Sequence, residues 1–172
     1  SWSKEKFFIP KFEENDSMPP KQTRFFIIDT ESGGLSKEDD KRNIIEIAAI
    51  EMINGEETGN VFHSYINPQT KINPMTTKIH NITDKFLQNK PLFEDVYPEF
   101  LKFIGDSPLV AHNIIADYNF LKRDINICGF KMFTNPMYCS QKISNELFPG
   151  KQSIGLDTLC DILKINKSER ER

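Results

Sequence analysis

The chain has 172 residues, 22 basic and 25 acidic, for a net charge of −3. That is enough for one domain with a real core, and the acidic balance argues against a protein that coats nucleic acid through a basic face. It does not exclude an enzyme that meets a phosphodiester through bound cations, since the metals then supply the positive charge. No apolar run approaches the roughly 20 residues of a membrane span, and no secretory signal core stands at the start.

Ser1 to Gln22 read as an N-terminal appendage or expression remnant, because Pro10, Pro19 and Pro20 interrupt a mixture of charged and aromatic residues. Met18 is then a candidate natural start, and Phe7-Phe8-Ile9-Pro10-Lys11-Phe12 a candidate docking peptide. A single domain is expected over residues 23–172, incomplete at its C-terminus.

The first strand is expected over about Arg24 to Asp29. Phe25-Phe26-Ile27-Ile28 is an uninterrupted apolar run, the pattern of a strand buried on both faces. Asp29 and Glu31 follow it two positions apart, and Gly33-Gly34 come next. On a strand both carboxylates point to one side, with Cβ atoms roughly 6–7 Å apart. Cations about 3.5–4 Å apart fit between them. Alternatively, Asp29 is a helix N-cap and Glu31 a first-turn acid.

After a charged loop over Ser36 to Asn43, Ile44 to Met52 is a second strand. Asn54-Gly55 is a strong hairpin signal, and Asn60 to Asn67 is a third strand, which completes an antiparallel meander. Two short helices follow, Met75 to His80 and one capped by Thr83. A longer helix spans about Asp95 to Gly105, with Pro98 placed in its first turn. Pro108 to Asn113 is a buried strand, Ala116 to Cys128 a helix ended by Gly129, and Asn135 to Cys139 a fifth strand. Helices over Ser140 to Leu147 and Leu156 to Leu163 complete an α/β fold whose five-stranded sheet is part antiparallel, part parallel.

Asp117 follows a strand end and opens a helix, where ligands of α/β sheets bind. With Asp29 and Glu31 it makes a candidate three-carboxylate cation site; the ordinary alternative is a helix-opening acid. His63, in mid-strand, reads as a partly buried structural residue. His80 reads as a helix C-terminal cation, and His112 as a strand-end residue that can touch substrate. Cys128, Cys139 and Cys160 lack metal-ligand spacing and read as buried free thiols in a reducing cytoplasm.

Several motifs together resemble the DEDD exonuclease superfamily, DEDDh type. They are Asp29-Thr30-Glu31-Ser32-Gly33-Gly34-Leu35, Ile44-Ile45-Glu46-Ile47-Ala48-Ala49, Lys78-Ile79-His80-Asn81-Ile82-Thr83, and Ala111-His112-Asn113 with Asp117 and Phe120-Leu121. Phe148-Pro149-Gly150-Lys151 and Leu156-Asp157-Thr158-Leu159-Cys160 narrow the resemblance to the proofreading exonucleases of bacterial replicative polymerases. It implies a ribonuclease-H-like fold, two Mg²⁺ or Mn²⁺ ions, and hydrolysis of 3′-terminal DNA phosphodiesters to nucleoside monophosphates.

By position, the resemblance makes Asp29 the bridge between both metals. Glu31 holds the metal that activates water, and Asp117 the metal near the leaving oxygen. Thr30, Glu31 and Ser32 meet the terminal nucleotide through backbone, Leu35 packs near its base, and His80, His112 and Asn113 line the pocket. The implied partners are a frayed or single-stranded 3′ end of DNA, the catalytic subunit of DNA polymerase III, contacted through a tail, and a sliding clamp.

The sequence departs from the family pattern in three places. Ser32-Gly33 stands where two Thr are usual, and Ala116 where an aromatic is usual. The family's general-base His and fourth acid belong beyond the Leu156–Ile165 region, and the sequence stops at Arg172 without them. Weak or absent activity is therefore expected of these 172 residues alone. The alternatives are an RNA-trimming exonuclease of the same superfamily, a catalytically silent domain that binds a polymerase or a nucleic-acid end, and a metal-dependent hydrolase of small phosphate esters.

Overall fold

A computed structural model describes residues 23–34, 42–150 and 154–166. The expected appendage, Leu35, most of the Ser36–Asn43 loop, Lys151 and Arg172 lie outside them. Five strands form one sheet in the order β3-β2-β1-β4-β5. The strands are β1 (Arg24–Ser32), β2 (Ile44–Ile53), β3 (Glu56–Tyr65), β4 (Leu109–Ala111) and β5 (Met137–Cys139). β1 pairs antiparallel with β2 and parallel with β4; β2–β3 is antiparallel and β4–β5 parallel. The expected mixed α/β sheet is the observed one.

The helices are α1 (Pro74–His80), α2 (Asp84–Leu87), α3 (Phe93–Ile104), α4 (Ile114–Ile127), α5 (Ser140–Leu147) and α6 (Leu156–Ile162). Local chemistry sets their ends. Asn73 accepts from the Met75 N–H and Thr83 from the Phe86 N–H, which relieves orphan donors of the first turn. α3 starts two residues earlier than expected, because Asp95 Oδ2 accepts from the Leu92 N–H at 3.2 Å. Pro98 therefore falls in the second turn, inside the helix. Asn54 and Gly55, at φ 54° and 86°, form the tight β2–β3 turn.

The main core lies between one sheet face and helices α3 and α4. Phe26, Ile28, Ile47 and Ala49 meet Phe93, Tyr97, Phe100, Leu121 and Ile125 there. Edge-on ring contacts, Phe26–Phe103 at 5.1 Å and Phe62–Phe100 at 5.7 Å, fill it. A second, small cluster joins Ile45, Ile72, Ile82 and Leu87, with Tyr65 against it.

Burial on both faces of β1 is overturned. Phe26 and Ile28 are buried, but Ile27 between them is 40% exposed. The uninterrupted apolar run concealed an alternating strand, because only one face lies under α3 and α4. On the other face the pairing register stacks three rows across β1, β2 and β3: Ile27–Ile50–Val61, Asp29–Ala48–His63 and Glu31–Glu46–Tyr65. Residues directly opposite share a face, so this face changes from apolar to acidic along β1. The strand also runs three residues past Asp29, which places both acids inside it.

Asp124, on α4, is fully buried. Burial pushes its carboxyl up to about 6, outweighing the Ile44 and Asn43 backbone donors that favour the ionised form. The folded chain therefore holds this proton more tightly than the unfolded one. The associated stability is fully present below about pH 4 and is lost as pH rises through about 6, about 3 kcal/mol in all. Urea unfolding at pH 4 and pH 7 should show Asp124→Asn gaining about 2–3 kcal/mol on the wild type across that interval. A pH-independent difference between the two contradicts it.

Candidate active site

α4 reaches back to β1 through Asp117. This residue is buried and sits in the helix's first turn. Its Oδ1 accepts the Thr30 backbone N–H at 2.9 Å and the Thr30 hydroxyl at 2.6 Å. Thr30 lies between Asp29 and Glu31, so this double bond fixes the acid-bearing end of β1 against the helix. Asn113, at φ 62°, makes the sharp turn from β4 into α4 that directs the helix there.

Burial pushes the Asp117 carboxyl up to about 6. The Thr30 donors oppose the shift, and the charge of Asp29 adds to it. Asp29 and Asp117 are thus near enough to repel, although 88 positions separate them. Like charges held this way disfavour double ionisation, which a divalent cation relieves. Among the described residues no three His, Cys, Asp and Glu side chains close into a metal cage. The donors on hand are carboxylate oxygens, which suit a hard cation such as Mg²⁺ or Mn²⁺. Asp29 and Asp117 fit such an ion; Glu31 shares the face of Asp29 one row on.

The glycine turn after the acids carries α1. The Gly33 carbonyl accepts from the Asn73 N–H at 2.8 Å and from the Thr76 hydroxyl at 3.1 Å. At Gly34, φ is 98° and an added Cβ would lie 2.7 Å from Asn73 Cβ, so only glycine allows this approach. α1 ends at His80, whose Nδ1 accepts the Ile82 N–H at 3.0 Å. Its Nε2 is buried without a completed hydrogen bond, beside the Ser32 backbone. Burial lowers its pKa, against the Ser32 backbone and the charge of Glu46. The shift runs against the helix-terminal cation expected from sequence, because the ring is partly covered beside Ser32 although Lys78 and Ile79 of the same turn are exposed.

The other two histidines also differ from expectation. His63 stands on the open face, nearly half exposed, with Nε2 2.6 Å from Glu46 Oε1. It is not partly buried in the core, since β3 turns that face away from α3. In His112, Nδ1 lies 3.1 Å from Ser140 Oγ and Nε2 3.1 Å from the Ile154 carbonyl. Both ring nitrogens thereby tie β4 to the chain around α5 and α6. Asn113 next to it is exposed at the mouth of α4.

Glu46 is the residue that sequence reasoning missed. It pairs with Glu31 on one side and Tyr65 on the other, bonds His63, and acts on His80. Burial, then the Glu46 charge, holds the Tyr65 phenol above its usual range. The available signal was a lone acid within the apolar run Ile44-Ile45-Glu46-Ile47. A depression of about 390 Å³ lies elsewhere, lined by Asn67, Gln69, Lys71, Asp84, Lys85 and Gln88 among others, and contains none of the expected site residues.

The chain is also similar to known proteins. A family profile described as Exonuclease matches residues 26–170, and the chain belongs to that family. A DNA polymerase III subunit epsilon from Buchnera aphidicola subsp. Acyrthosiphon pisum is 43% identical over 154 residues, covering 86% of this chain and 64% of that protein. The subunit of the same name from Rickettsia typhi is 40% identical over 153 residues, covering 86% and 66%. The chain thus spans just under two thirds of the length of these curated relatives.

Among solved structures, Exonuclease X in complex with 5′ overhanging duplex DNA superposes with a TM-score of 0.65 at 28% identity, covering 86% of this chain and 78% of that one. The nuclease domain of 3′hExo, a DEDDh family member bound to rAMP, superposes at 0.73 and 18% identity, covering 87% and 82%, a likeness of fold.

Thr30→Val keeps the shape of the side chain and removes one of the two donors to Asp117. It should lower stability by about 1–3 kcal/mol in urea unfolding, as for a hydrogen bond to a charged group. A loss below about 0.5 kcal/mol, the scale of an ordinary surface substitution, contradicts the latch.

Proposed function

We propose that this chain is the nuclease domain of a 3′–5′ DNA exonuclease that proofreads for a bacterial replicative polymerase. The observation that carries the reading is the approach of Asp117 to Asp29 through the Thr30 latch. The relatives bearing the name DNA polymerase III subunit epsilon support the polymerase context. On this reading the catalytic subunit of that polymerase is the protein partner and the bacterial cytoplasm the setting.

Asp29, Glu31 and Asp117 are the proposed ligands of two divalent cations, Mg²⁺ or Mn²⁺. When bound, these supply activation of a water and neutralisation of charge developing on the phosphate. The chain's own residues do the rest. The Thr30, Glu31 and Ser32 backbone meets the terminal nucleotide. Glu46, His63 and His80 form a polar wall beside the acids. Asn113 stands at the mouth of α4. His112 acts by holding β4 in place, which its two intramolecular bonds favour over direct substrate contact. Selectivity for a mispaired end follows from the lower cost of separating it from its template strand.

An RNA-trimming activity is the alternative within the same chemistry, and paired DNA and RNA oligonucleotides separate the two. In the full-length protein, Asp29→Ala should reduce Mn²⁺-dependent release of nucleoside monophosphate to background while thermal unfolding stays cooperative. Retained release removes Asp29 from the site.

A further inference from the structure

The exonuclease reading leaves Asp124 unused. It lies two helical turns beyond Asp117 on α4 and is fully buried. Two turns bring both acids to the same side of the helix. Its Oδ1 and Oδ2 accept the Asn43 N–H at 2.9 and 3.0 Å, and Oδ2 also accepts the Ile44 N–H at 2.9 Å. Burying a carboxylate to satisfy two backbone donors is expensive. A carboxylate in return gives stronger, charge-assisted bonds at a fixed position.

What it fixes lies one bond further on. The Asn43 carbonyl accepts the Gly33 N–H at 2.7 Å, and the Gly33 carbonyl accepts from Asn73 and Thr76 of α1. Gly33 follows Ser32 directly, and the end of α1 holds His80 beside the Ser32 backbone. A run of hydrogen bonds therefore leads from the interior of α4 through the first residue before β2 to the turn beyond the acids, and on to α1. The ladder between β1 and β2 is irregular there, its register shifting between Glu31 and Ser32 before Ser32 pairs with Ile44.

We propose that Asp124 is a positioning residue for the terminal-nucleotide pocket. Asp117 fixes the acid-bearing part of β1, and Asp124 separately fixes the Ser32–Gly34 turn and α1, which form the pocket's wall. The division of labour rests on the exonuclease reading above, and it predicts that loosening Asp124 disturbs nucleotide placement before it disturbs the cation site.

The test uses the full-length protein carrying Asp124→Asn, which keeps the shape and one acceptor oxygen. Thr76→Val is the second variant; it removes one of the two bonds on the Gly33 carbonyl, the Asn73 N–H bond remaining, and weakens the same run at its outer end without touching the core. Three quantities are read: steady-state kinetics on a single-stranded DNA oligonucleotide, hydrolysis of bis(p-nitrophenyl) phosphate, which has no nucleoside to place, and Mn²⁺ affinity. For Asp124→Asn the oligonucleotide KM should rise about tenfold with kcat within about threefold, and for Thr76→Val KM should rise about threefold.

Hydrolysis of the small diester and Mn²⁺ affinity should stay within about twofold in both variants, because neither depends on the wall. An unchanged oligonucleotide KM in either variant overturns the proposal. So does an equal loss on both substrates, which marks general damage. If Asp124→Asn does not fold, Thr76→Val alone decides. Failure of the exonuclease reading looks different: the wild-type protein then releases no nucleotide from the oligonucleotide at all.

Discussion

One oxygen atom, Oδ1 of Asp117, accepts both the backbone N–H and the hydroxyl of Thr30. Everything chemically notable in the chain depends on that contact. Without it no carboxylate from α4 would be held beside the acids on β1. With it, a carboxylate from a helix is held in the field of Asp29 at a buried position, and the resulting repulsion is tolerable only because two donors offset it. Carboxyls shifted by burial and by a neighbouring charge are a pattern frequent at functional sites.

α4 is the spine that makes this possible. It packs Leu121 and Ile125 into the core while offering two buried acids to the backbone of β1 and of β2's approach. The sheet contributes the complementary half. Its face away from α3 and α4 passes from an apolar row through Asp29 and His63 to Glu31, Glu46 and Tyr65. The glycine turn then lets α1 close on the acidic end, with no Cβ at Gly34 to hold Asn73 away. The acids of β1, Asp117 of α4 and the α1 end with His80 thus come from three segments distant in sequence, each fixed by a few hydrogen bonds.

Much of this was legible in the residues. The antiparallel meander was marked by the hairpin signal at Asn54-Gly55 and the parallel half by the β-α-β pattern around β4, whereas the order β3-β2-β1-β4-β5 was not. What escaped notice was long-range. Phe25 to Ile28 reads as apolar on both faces; only the position of α3 and α4 decides that Ile27 is left exposed. His80 reads as a cation at a helix end; only its partial burial beside Ser32 lowers its pKa. His112 reads as a pocket residue, while contacts 28 and 42 positions away occupy both its nitrogens. Glu46 was visible as an acid in an apolar strand, but its significance required the register of β1, β2 and β3.

The central claim is that Asp29 and Asp117 together hold a divalent cation. Anomalous diffraction from crystals of the full-length protein soaked in Mn²⁺ measures this most directly. The account predicts a manganese peak within coordination distance of both carboxylates, about 2.0–2.6 Å from their oxygens. A map in which manganese occupies other sites, or none, while Asp29 and Asp117 stay without it would contradict the account.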